Sequence, residues 1–174
     1  MRHALIPAHI LSTVGCGDAE RSIENANNNQ AKPMAQDDPQ ATWDDYHKRI
    51  RARRVTEAKQ MFAAMQANGV TIESILLLDF RHFSSDKADA ENLGKQLSEN
   101  YDIKLTHDTE SNYWFADGTT RPDGISLTES QCIDWVTFMA DVAKSHGCVF
   151  STWRLTDAKT EASWSNESFE ADTD

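Results

Sequence analysis

The sequence predicts an α+β domain: a four-stranded antiparallel sheet with two helices on one face, plus an extra N-terminal helix. Three observations predict it. Apolar residues recur at helical spacing in three separate segments. Four shorter segments read as strands, two of them joined as a hairpin. From residue 72 onward the order is β-α-β-β-α-β, two halves whose right-handed crossovers place all four strands in one sheet.

The first helix is predicted over 43–68. Thr42 is a plausible cap, with Asp44 and Asp45 in the first turn. Tyr46, Ile50, Ala58, Met61, Phe62 and Met65 follow at helical spacing, and Asn68-Gly69 supplies a stop. "TIESILLLDFRHF" (71–83) reads as a strand. Leu76, Leu78 and Phe80 share one face, and Leu77, Asp79 and Arg81 share the other. A strand apolar on one side and mixed on the other belongs at the centre of a sheet. The next helix, predicted within 84–101, has Ser84, Ser85 and Asp86 as candidate caps and Ala90, Leu93 and Leu97 as its buried stripe.

"DIKLTH" (102–107) and "NYWFAD" (112–117) form the hairpin, and "GTTRPDGIS" is a loop. Thr128-Glu129-Ser130-Gln131 has capping-box spacing. The helix it opens presents Cys132, Trp135, Val136, Met139, Val142 and Ala143, and Gly147 ends it. "CVFSTWRL" (148–155) is the last strand. This is the ferredoxin-like arrangement. The first and third strands are expected at the centre, the second and fourth at the edges. The N-terminal helix has room to cover part of the opposite face.

The 174 residues carry a formal charge of −11. Such a chain repels nucleic acid unless basic residues are segregated, so no direct nucleic-acid binding is expected. The one basic cluster is "KRIRARR" (48–54). Its charges spread around the helix axis within reach of Asp44, Asp45 and Glu57, which reads as a solvated, salt-bridged face. Cys16, Cys132 and Cys148 lack the spacing of a disulfide framework or zinc site, and no cofactor is expected.

Residues 1–41 read as a disordered leader, rich in Asn, Gln and Asp from residue 17. The start "MRHALIPAHILSTVGC" loosely matches a lipoprotein-type signal (1–15). The expected location is cytoplasmic, with membrane attachment only if Cys16 is lipidated. Residues 159–174 read as an acidic disordered tail in which Trp164 and Phe169 form a short sticky motif.

Asp79, Arg81 and His82 crowd acid, base and imidazole into four residues. Alternation places His82 on the face opposite the other two, so they cannot converge without a bulge. Asp79 and Arg81 read as an ion pair and His82 as a packing residue. No catalytic or metal site is expected, since HExxH, GxSxG and P-loop patterns are all missing.

"FRHFSSDKADAENL", "NYWFAD", "LTESQCIDWVTFMADVAKSHGC" and "VFSTWRL" together resemble the RraB-type regulators of ribonuclease E activity. The resemblance covers about residues 60–157. It rests on His82-Phe83 preceded by Phe80, and on Trp153 in the last strand. It implies a βαββαβ domain that binds ribonuclease E outside its catalytic part and modulates RNA cleavage without being an enzyme. The leader and the basic segment depart from the minimal regulator. The expected partner is a protein with a basic surface. Candidate contact residues are Asp79 and Arg81 on the mixed sheet face, Asp86, Asp89 and Glu91 at the start of the second helix, and Trp114 and Trp153. Two other readings are a ligand-binding module or enzyme on the same fold, and a tethered envelope protein of immunity type.

Overall fold

A computed structural model describes residues 38–169. The leader reading, including lipidation at Cys16, falls outside the described residues up to position 37, as does the tail from position 170. No described helix is long and apolar enough to cross a membrane.

Helix α1 spans Pro39–Ala67 and so starts before the predicted Trp43. Asp38 is its cap and accepts from the Gln40 amide at 3.0 Å. Pro39 fits the first turn, where its missing N–H leaves no hydrogen bond unmade. Thr42, expected as the cap, lies one turn inside and donates its hydroxyl to the Asp38 carbonyl.

Strand β1 (Leu76–Ser84), helix α2 (Lys87–Leu97), strands β2 (Asp102–Asp108) and β3 (Tyr113–Thr119), helix α3 (Glu129–Ser145) and strand β4 (Val149–Asp157) follow in the expected order. Asp86 caps α2 by accepting from the Ala88 and Asp89 amides. The capping box at Thr128 and Gln131 is formed, with both reciprocal bonds in place.

The sheet differs from the expected four strands. A fifth strand, β5 (Ser163–Ser165), pairs outside β4, giving the antiparallel order β2-β3-β1-β4-β5. Strand β4 is therefore interior, contrary to its expected edge position. The tail reading fails over the same residues. After β5 a 3-10 turn (Asn166–Ser168) packs back, and Trp164 and Phe169 lie against the core. Two aromatic rings give this short segment enough apolar area to dock, despite its acidic composition.

The core lies between the sheet and the helices. Leu76, Leu78 and Phe80 of β1 meet Leu93 of α2, Val136 and Met139 of α3, and Met61 and Met65 of α1 in one cluster. Helix α1 thus packs with α3 on the already covered side, not on the opposite face where there was room for it. Its apolar stripe Ala58, Met61, Phe62, Met65 had no apolar counterpart on the mixed face of β1. Gly118 is required here for space: a Cβ would overlap the Phe80 ring, which crosses β3 to reach Tyr101 and Trp135.

Candidate interaction face

The other side of the sheet carries polar side chains in cross-strand rows. Alternation aligns Asp102, Thr119, Asp79, Arg154 and Ser165 in one row. Lys104, Asp117, Arg81 and Thr152 form the next. These rows line a trough of about 770 Å³ whose rim includes Glu167 of the 3-10 turn. Among the described residues the lining comes from strands and that turn alone.

Asp79 and Arg81 both sit in the trough, but they do not pair with each other as expected. Residues two apart on a strand are separated by a full pleat, and each finds a nearer partner across the sheet. Arg81 donates to both Asp117 carboxylate oxygens, at 2.6 and 3.0 Å, and its guanidinium lies 4.6 Å from the Phe115 ring centroid. The hydrogen bond to Asp117 raises the Arg81 pKa further. Asp79 accepts from Arg121 of the β3–α3 loop at 3.1 Å and from the Thr119 hydroxyl at 2.7 Å. Burial works against the Asp79 carboxylate. The bonds from Arg121 and Thr119 outweigh it and hold the pKa below the usual range.

His82 points to the opposite side, into the core, as alternation requires. A bulge does occur beside it: pairing jumps from Arg81↔Thr152 to His82↔Phe150, leaving Ser151 as the extra residue. The extra residue is in β4, so the inside–outside alternation of β1 survives. His82 stacks on Phe150, and burial pushes its pKa down to about 4.

The remaining candidates are spread over two other places. Asp86 is committed to capping α2, and Glu91 pairs with Lys87 at 2.9 Å. Asp89 lies against Gly147, at the turn into β4. Trp114 is on the helix side of β3, half-buried, stacked on His107 and under Lys87. It neighbours the α2 acids and is remote from the trough. Trp153 is 1 % exposed, so its side chain belongs to the core and offers no contact area. Of the candidates, only Asp79 and Arg81 therefore lie in the trough with an exposed side chain.

Sequence reasoning missed a buried polar network. Arg54, counted above among solvated charges, is buried and donates to Glu57 at 2.5 Å and to the Phe150 carbonyl at 3.2 Å. Glu57 is fully buried and also accepts from Arg53 and from the Asn166 amide. Asn166 accepts from the Trp153 backbone N–H at 2.8 Å and donates to the Ser151 carbonyl. Its side chain thereby continues the ladder along β4 beyond the end of β5. The available signal was helical phase: Arg54, Glu57, Ala58 and Met61 share the stripe that points inward.

Burial pushes the thiols of Cys132 and Cys148 up to about 12, so both stay protonated and unreactive. Among the described residues no group of three or more His, Cys, Asp or Glu is arranged to hold a metal ion. No protein-family model matches this chain, and no curated protein does.

Proposed function

We propose that this domain is a non-catalytic binding protein that docks a macromolecular partner on the uncovered face of its sheet. In this reading β1 to β4 with α2 and α3 form a ferredoxin-like unit, extended by α1 and β5. By resemblance the partner is ribonuclease E, engaged outside its catalytic part, with modulation of RNA cleavage as the outcome.

The observation that carries the reading is that, among the described residues, the three helices stack on one side. The other side carries a polar surface ordered by the cross-strand pair Arg81–Asp117 and by Arg121 on Asp79. Such a surface is preorganised: Arg81 and Asp79 are already held by Asp117 and Arg121, so little side-chain freedom is lost on docking. The acidic balance of the chain favours a basic partner by speeding encounter. The non-catalytic reading is supported by the same bonds. Asp79 is held ionised by an arginine, and the nearest imidazole in sequence, His82, is sealed in the core.

The test is affinity capture on immobilised ribonuclease E, followed by a cleavage assay with added protein. The expected result is saturable binding and altered cleavage, both lost in Asp102→Lys combined with Glu167→Lys, which reverses two lining acids that hold no ion pair among the described residues. No binding and no effect on cleavage would refute the reading.

A further inference from the structure

Helix α1 is 29 residues long, about 43 Å, and its first turns overhang the end of the sheet. There Trp43 and Tyr46 of α1 face Phe83, Tyr113 and Val149 across a pocket of about 460 Å³. That volume is within the range of small-molecule sites, roughly 300–1,000 Å³. The rings come in two packed pairs, Trp43 on Tyr46 and Tyr113 against Phe83, and both pairs line the pocket.

Arg49 is one turn beyond Tyr46 on the same stripe of α1 and also lines the pocket. Among the described residues it is the only formally charged one in the lining; the others are aromatic, aliphatic, hydroxyl or glycine. Among the described residues Arg49 is in no ion pair, although four other members of the α1–α3 layer, Arg51, Arg53, Arg54 and Lys144, each hold a carboxylate. In a chain with net charge −11, the described lining of this pocket thus holds no carboxylate, and a guanidinium unpaired among the described residues stands at its edge.

We propose that this pocket binds a small aromatic carboxylate. The ring would insert between the Trp43–Tyr46 and Phe83–Tyr113 walls, and the carboxylate would accept from Arg49. Aromatic walls select a flat apolar body, and the guanidinium fork selects a planar anion over a neutral group. The site is separate from the sheet trough and does not depend on the docking reading.

The test is a heteronuclear NMR titration of the full chain with 3-phenylpropionate, its primary amide, and a capped hexapeptide containing one Phe. Saturable shifts at the Trp43 indole N–H and at Tyr113 are expected with the acid. The acid should bind about tenfold more tightly than the amide, as expected for one charge-assisted bond. Arg49→Gln should bring the acid to the level of the amide. Tyr113→Ala, at an exposed position that the fold does not need, should weaken both. Equal binding of acid and amide, an unchanged ratio in Arg49→Gln, or no saturable shift would overturn the proposal. Binding of the peptide without binding of the acid would overturn it and assign the groove to a peptide segment. Shifts that grow with protein concentration alone would overturn it and assign the groove to a second copy of this chain.

Discussion

The two faces of this sheet use the same chemistry to different ends. On the helix side Arg54 and Glu57 form a buried pair, tied to Asn166 and the Phe150 carbonyl. On the open side Arg81 and Asp117 form a bidentate pair with 45 % and 31 % of their side chains exposed. Water decides the difference. A buried ion whose partner is removed stays uncompensated, whereas an exposed one is re-solvated. Stability is therefore concentrated on the covered face, and the open face is free to vary with a partner.

The strongest way to break this comparison is Glu57→Ala. It leaves the Arg54 charge without its carboxylate in the core and removes one of the two acceptors of the Asn166 amide, so a loss of about 3–5 kcal/mol is expected in denaturant unfolding. Replacing the pair together, as Arg54→Met with Glu57→Leu, should recover most of that loss. A small loss in the single variant would show that the network does not hold the helix layer.

The next effect is pH dependence. His82 has a folded pKa of about 4 against 6.5 unfolded, lowered chiefly by burial, with Arg54 adding to the shift. The unfolded chain therefore binds more protons between these values, so stability falls as pH drops through that window. The full loss is about 3 kcal/mol on the usual conversion of 1.36 kcal/mol per unit. His47, buried beside Lys144 and Asp44 with a lowered pKa, acts in the same direction. The lowered Asp79 and Asp44 carboxylates act only below about pH 3.8. Unfolding midpoints measured from pH 7 to 4 should show the decline, and His82→Leu should flatten most of it.

Asn166→Ala comes third. It leaves the buried backbone N–H of Trp153 without its acceptor, and a cost of about 1–3 kcal/mol is expected. Hydrogen exchange should report faster opening of β5 and of the Trp153 amide. Arg81→Ala should matter least, with a change of about 0–1 kcal/mol in the same unfolding experiment, because its pair with Asp117 is exposed. A cost as large as that of Glu57→Ala would erase the distinction between the faces.

The order of effects tracks what could be read from sequence. The inward stripe of β1, the capping box at Thr128 and the hairpin were legible because each is a local pattern of spacing or caps. The place of α1 was not, because a helix with one apolar stripe can lie against either face of a sheet. Strand β5 was not, because three residues carry no periodicity and the acids of the surrounding tail suggested solvent. The role of Arg54 was hidden by five basic residues in seven, whose charge spoke louder than helical phase. At the open face, sequence placed Asp79 and Arg81 correctly on one side. It missed their partners, since Asp117 and Arg121 come from a neighbouring strand and loop.

The central claim, that the uncovered face is where a partner docks, is tested most directly by titration calorimetry with ribonuclease E. Wild type should bind saturably. The Asp102→Lys, Glu167→Lys variant, which breaks no ion pair among the described residues, should keep its unfolding midpoint but lose binding by at least tenfold. Undiminished binding by that folded variant, or no binding by wild type, would contradict the account.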